Sequence, residues 1–422
     1  MSGQVPFPSG SYVEAVRQSC KQLREAQDIE VTDEAIKRLL FSPSFLTTFK
    51  RVSGHHGLNF PLNFPSSISE LNFLSVLSLL NFASGYRVPL HEQTGRGAWD
   101  NIRALAFGLY ISSATGQGDL LSAKGMQSVT PQQIAELMSV KIHIERPHDK
   151  IQGITVGELG GPIYEVVNLI SKTLNETGEL LLKHSEGMDL GTFVLQSLQR
   201  ARAKSNKGPN AITDAVLHDL VGAFPAFRDM AVVGGIPVYC FKKALFLIHA
   251  VTLRFGTTSS HSSGFPLPDT SQVPVFTDNV LPSLLVHLGV LDLSDSRDTG
   301  LQKIFPDAEN VAKIDALLAL PEDTPITSSS ATPDAKPKKV PPKEGPVLTS
   351  DQAYVLRAAA VDACEKIIAY ARSLDEGSLS EDQKWIKDIT LPQLDMWLWA
   401  VAKDRTDYRE LERFVLRDTV FF

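Results

Sequence analysis

The chain has 422 residues, 43% hydrophobic and 21% charged, with 41 Lys+Arg against 48 Asp+Glu and a formal charge of -7. That length has room for two or three domains or one large one, and the apolar content excludes wholesale disorder. A net acidic chain is poorly suited to gripping nucleic acid, where affinity rests on neutralised phosphates, but it can hold one small anion on a local basic group.

Met1–Tyr12 carries neither the basic nor the apolar run of a secretory leader, and residues 1–29 read as an N-terminal extension. Cys20, Cys240 and Cys364 are too few and too scattered for a disulfide framework or a CxxC metal site, which favours a reducing, cytoplasmic setting. His55-His56 beside Gly57 reads as a loop, since adjacent side chains rarely converge on one ion. The longest apolar stretch, Leu71–Phe82, is interrupted by Asn72, Ser75, Ser78 and Asn81 and is too short and polar to span a membrane. His91-Glu92 lacks the second His of a zincin, and Gly116-Gln117-Gly118 lacks the third Gly of a dinucleotide loop. No GxSxG or P-loop is present.

Thr130-Pro131 opens a helix, with Thr as cap and Pro at the first position. Ile163–Lys183, Phe193–Ala203, Val355–Ala371 and Leu391–Lys403 place their apolar residues at helical spacing. Met230–Val233 and Ile236–Tyr239, joined by Gly234-Gly235, read as a small hairpin. Thr257–Pro274 reads as a long surface loop. Residues 321–347, rich in Pro, Ser and Lys, read as a disordered insertion. The expected fold is therefore mainly α with a minor β element.

Three clusters are candidates for chemistry. Phe224-Pro225-Ala226-Phe227-Arg228-Asp229 precedes the hairpin, and a structural Arg228–Asp229 pair is the plain reading. Phe241-Lys242-Lys243-Ala244 opens an apolar helix, where a Lys beside the helix N–H groups suits a phosphate and a solvated turn is the alternative. In Phe276-Thr277-Asp278-Asn279-Val280-Leu281-Pro282, Asp278 either caps the next helix or serves as a catalytic carboxylate.

The order of these blocks resembles the queuosine salvage family of queuosine 5′-phosphate N-glycosylases. Leu174-Asn175-Glu176-Thr177-Gly178, Phe224-Pro225 with Phe227-Arg228-Asp229, Phe241-Lys242, Phe276 with Asp278, and Leu281-Pro282 carry it. So do His287-Leu288-Gly289, Leu356-Arg357 with Glu365, Leu394-Asp395 with Leu398-Trp399, and the closing Phe421-Phe422. The similarity covers about residues 30–320 and 348–422. It implies one large helical domain similar to helix-hairpin-helix DNA glycosylases, and release of queuine from queuosine 5′-monophosphate without metal or cofactor. It places the catalytic carboxylate at Asp278, and substrate contacts at Lys242, Asn81, Phe82, Tyr86, Trp99, Asn279 and Arg357. A free nucleotide is the implied partner, with no direct contact to nucleic acid or membrane.

The chain departs from the family after Asp278, where Tyr-Arg is usual and Asn279-Val280 stands here, and after Phe82, where Ala83-Ser84-Gly85 replaces Ser and two aromatics. Ser283 replaces a Gln, and Ala400 an Asp. Three readings stay open: activity kept through substitutes such as Tyr86, Arg87, Trp99 or Asn279; a shift to another nucleotide; or an inactive homologue that binds a ligand or partner. A helical interaction protein docking through Pro341-Pro342 is the unrelated alternative.

Overall fold

The computed structural model describes residues 5–54, 57–114, 118–148, 150–185, 187–204, 208–256, 265–320 and 341–422. His55-His56, Gly116-Gln117, and the 257–264 and 321–340 parts of the two loop assignments lie outside the described residues. The described chain is mainly α, with two small two-stranded antiparallel sheets.

Two buried helices organise the packing. Ser67–Leu79 is buried at every residue from Leu71 to Leu79 and packs against Leu190–Ala203, Lys242–Gly256 and Ala98–Ala114. A helix apolar all round needs cover on all sides. Its polar interruptions are each satisfied. Ser75 and Ser78 donate to the carbonyls of Leu71 and Leu74, and Asn72 donates to Leu121 O and accepts from Gly191 N. The second, Ser350–Ser373, packs against Tyr12–Ala26, Val280–His287 and Leu391–Asp404. It begins with a reciprocal capping box between Thr349 and Gln352; the same device starts Pro131–Met138 and Leu391–Asp404.

Helices stand where the periodicity places them, at Gly161–His184, Leu190–Ala203, Ser350–Ser373 and Leu391–Asp404. The hairpin pairs Met230 with Tyr239 and Val233 with Ile236. Its turn glycines Gly234 and Gly235 have φ of 56° and 84°, the left-handed pair a two-residue hairpin turn requires. A second hairpin, His143–Pro147 with Thr155–Leu159, was not foreseen. It lies on the surface with both strands largely exposed, so no apolar alternation announces it.

Three readings change. Residues 1–29 do more than extend the chain, because Tyr12–Ala26 buries Val13, Val16, Cys20 and Leu23 against the Ser350–Ser373 helix and the Ile236–Tyr239 strand. Asp229 pairs with Arg357, whereas Arg228 donates to the carbonyls of Val221 and Gly222. Residues 341–347, assigned to the disordered insertion, lie along the C-terminal segment. There Pro346 O accepts from Val415 N, Lys343 O accepts from Arg87, and Glu344 pairs with Arg417.

Candidate active site

Several element ends converge on one cleft of ≈190 Å³. Ser67–Leu79 brings Asn81 and Phe82 just past its C-terminus. Lys242–Gly256 brings Lys242 at its first position, and Ala98–Ala114 brings Trp99. Asp278 and Asn279 lie immediately before Val280–His287. Two non-glycine residues with positive φ flank these groups, Ala83 (84°) after Phe82 and Phe241 (46°) before Lys242. Such conformations cost energy and persist only where the surroundings hold them. Phe241 is held by its N–H, which donates to Asp229 O.

Lys242 and Asp278 are shared with an adjoining smaller recess of ≈30 Å³, also lined by Asn81, Trp99, Phe246, Phe276, Asp395 and Trp399. Lys242 Nζ donates to Asn81 O and Oδ1 at 2.7 and 3.0 Å, and Lys243 Nζ donates to Leu79 O at 2.8 Å. Both lysine amino groups thus meet the negative end of the Ser67–Leu79 helix, which has no basic residue in its own last turn. Burial pushes Lys242 down to about 8, against the pull of Asp278, so it is still a cation at neutral pH. Asp278 Oδ1 accepts from Val280 N at 2.7 Å, just ahead of a helix whose N-cap position is Asn279, and the residue lines both cleft and recess.

At the N-terminus of the Lys242 helix, where a phosphate was expected, the first backbone N–H is already taken. Lys242 N donates to Asp229 Oδ2 at 3.1 Å. The other basic side chains of the cleft are Arg87, Arg409, Arg413 and Lys403, the last pushed well below the usual lysine range by burial, with the carboxylate of Asp100 nearby. Arg413 is buried and donates to Ala402 O. Burial, then the like charge of Arg87, pushes its guanidinium down. Two guanidinium groups held together in a partly dry wall are stabilised by an anion between them.

The remaining wall is aromatic. Trp99 meets Trp399 edge-on, ring centroids 6.1 Å apart, and Lys403 lies over the Trp399 ring. Three polar atoms of cleft residues are buried without a hydrogen-bond partner among the described residues: Ser84 Oγ, Trp99 Nε1 and Asn279 Oδ1. Asn279 Nδ2 donates to Phe414 O, which orients the amide and leaves its oxygen as an acceptor. Buried polar groups are rarely left unpaired in a native protein, so these three atoms stand out.

Of the sequence-derived set, Asp278, Lys242, Asn81, Phe82, Trp99 and Asn279 line this cleft; Tyr86 and Arg357 do not. Tyr86 is buried, its hydroxyl accepts from Asp418 N at 3.0 Å, and Arg417 lies over its ring. It pins the C-terminal segment. Arg357 is wholly buried, makes a two-point ion pair with Asp229, and donates through Nε to Thr277 O at 3.1 Å. It braces the residue before Asp278 and touches no cleft. Sequence reading missed Arg409, Arg413, Lys403 and Ser84 as cleft residues, and gave Asp395 no role. One signal was available: Asp395, Trp399 and Lys403 stand at i, i+4 and i+8 and so share one helix face.

This mainly helical protein with an acidic and basic floor, an aromatic wall and a cationic flank has relatives. The family model of the queuosine salvage proteins matches residues 66–305, more than half of the chain, and the chain belongs to that family. It is similar to the queuosine 5′-phosphate N-glycosylase/hydrolases of Bos taurus and Mus musculus, each 29% identical over 124 residues. The aligned stretch is 29% of this chain and 31% and 32% of those relatives, so the chain matches about a third of their length. Among the described residues, no group of three or more His, Cys, Asp or Glu side chains could hold a metal, and no helix is long and apolar enough to cross a membrane.

Proposed function

We propose that this protein is an N-glycosylase that hydrolyses queuosine 5′-monophosphate to queuine and ribose 5-phosphate. The observation that carries the reading is the meeting of Asp278 and Lys242 on the floor of one cleft walled by Trp99 and Trp399. Breaking an N-glycosidic bond builds positive charge on the sugar. A carboxylate beside the anomeric carbon stabilises that charge and orients the attacking water. Asp278, held by Val280 N and drawn to Lys242, is that carboxylate. The base stacks on the tryptophan wall, an interaction of about 1–3 kcal/mol per stacked base. Its polar edge meets the cleft-lining side chains of Ser84 and Asn279. Arg87 and Arg413 hold the 5′-phosphate, which replaces the role first expected of Lys242. Binding energy at this remote group positions the reacting bond.

Purified protein should release queuine from the nucleotide, and Asp278→Asn should abolish turnover while leaving the melting temperature close to wild type. Wild-type protein that releases nothing above the Asp278→Asn control, at high enzyme concentration, refutes the reading. A homologue that binds another nucleotide or only a partner is the second reading, favoured by Asn279-Val280 standing where the family resemblance expects Tyr-Arg. It predicts saturable nucleotide binding without queuine release.

A further inference from the structure

The recess adjoining the cleft holds a second carboxyl with no part in the chemistry so far. Asp395 is 4% exposed and shares the recess with Asp278, Lys242 and the rings of Phe246 and Phe276. Its Oδ2 accepts from Phe276 N at 2.7 Å, which ties its helix to the segment carrying Asp278. The charged and titratable groups around it include Asp278, Lys242 and, on the Ser350–Ser373 helix, the Cys364 thiol. Two carboxyls on one small recess do not both ionise readily, and the environment separates their roles. Asp278 also reaches the open cleft and accepts the Val280 N–H, so it is the better place for the negative charge. Asp395 sees only the recess, where burial, reinforced by Asp278, pushes its carboxyl up to about 8.

We propose that Asp395 is the proton donor of the reaction, delivering its carboxyl proton to the departing base while Asp278 remains ionised. This rests on the N-glycosylase reading. The C1′–N bond breaks, its electron pair goes to the base, and the Asp395 proton neutralises the base at a ring nitrogen. Water adds to C1′ and its proton passes through Asp278 to solvent. Solvent then returns a proton to Asp395, so no oxidant or further reactant is needed.

Asp395→Asn keeps an oxygen to accept the Phe276 N–H but has no acid proton to give. Two substrates separate the possibilities: queuosine 5′-monophosphate, and p-nitrophenyl β-ribofuranoside 5-phosphate, whose phenolate departs without protonation. For the nucleotide, kcat should fall about 10²–10⁴-fold with KM little changed, while turnover of the phenyl substrate stays near wild type. Equal loss on both substrates makes Asp395 an anchor of the Phe276–Asp278 segment and overturns the proposal; an unchanged kcat on the nucleotide does the same. The wild-type pH profile is an independent check that needs no variant. Nucleotide turnover should fall above about pH 8, in a limb the phenyl substrate lacks; a limb common to both belongs to Lys242 and counts against Asp395. Wild-type protein inactive on both substrates overturns the glycosylase reading itself, a result distinct from any of these.

Discussion

Replacing Arg357 by Met tests whether the site depends on a brace that never touches ligand. Asp229 and Arg357 are almost wholly buried. The Asp229 carboxylate accepts from Arg357 Nη1 and Nη2 at 2.9 and 2.5 Å, Tyr354 Oη at 3.1 Å and Lys242 N at 3.1 Å. Arg357 Nε reaches Thr277 O. One pair therefore joins the start of the Lys242 helix to the residue before Asp278. Removing the guanidinium leaves a buried carboxylate with only two neutral donors, and losing one partner of a buried pair costs about 3–5 kcal/mol. Urea unfolding should show that loss for Arg357→Met. Adding Asp229→Asn removes the stranded charge while its amide oxygen still accepts from Lys242 N, so the double variant should regain about 1–3 kcal/mol of coupling. Activity should fall through kcat, because Lys242 and Asp278 lose their alignment. Simple addition of the two single effects, a cost below about 1 kcal/mol, or a loss confined to KM at full stability would refute the reasoning. The last result would return Arg357 to the ligand.

The cationic flank gives a second test. Arg413→Met should weaken binding of the nucleotide roughly 10- to 100-fold more than that of the nucleoside, since one charge-assisted hydrogen bond is worth about 1.5–3 kcal/mol; calorimetry with both ligands decides, and equal losses would reject a phosphate role. Gly85→Ala should destabilise the fold by about 1–3 kcal/mol in urea unfolding, because a Cβ at Gly85 would sit 2.1 Å from Leu416 O; an unchanged midpoint would show that the seam yields. Asp395 makes the folded state hold a proton that the unfolded chain releases near pH 4, so its contribution to stability declines as pH rises from there to about 8. The stability of Asp395→Asn relative to wild type should therefore increase across that window; a constant difference between pH 4 and 8 would show that the carboxyl ionises normally.

The spacing of Val166, Val167, Ile170 and Leu174 predicts a helix because one buried face is a local property of the chain, and Gly161–His184 buries those residues. The order of the family blocks led to Asp278 and Lys242 for a similar reason: each is tied to its own stretch of neighbours. Arg357 misled because its block looks the same whether a guanidinium binds ligand or a distant carboxylate, and that carboxylate is 128 residues away. Beyond Arg87, already a candidate substitute, the basic flank was not legible because Lys403, Arg409 and Arg413 come from separate elements and form no motif.

By itself, then, the sequence determined the mainly helical class, the hairpin turn at Gly234-Gly235, and the two groups at the floor of the cleft. Each depends on short-range periodicity, backbone freedom or a local block. Tertiary structure decided which polar groups neutralise one another and which are left facing a cavity. It turned Asp229 to Arg357, Lys242 to Asn81, and Tyr86 to Asp418, and it brought Asp395 beside Asp278. Partnership between charges depends on distance and desolvation, which chain order does not encode.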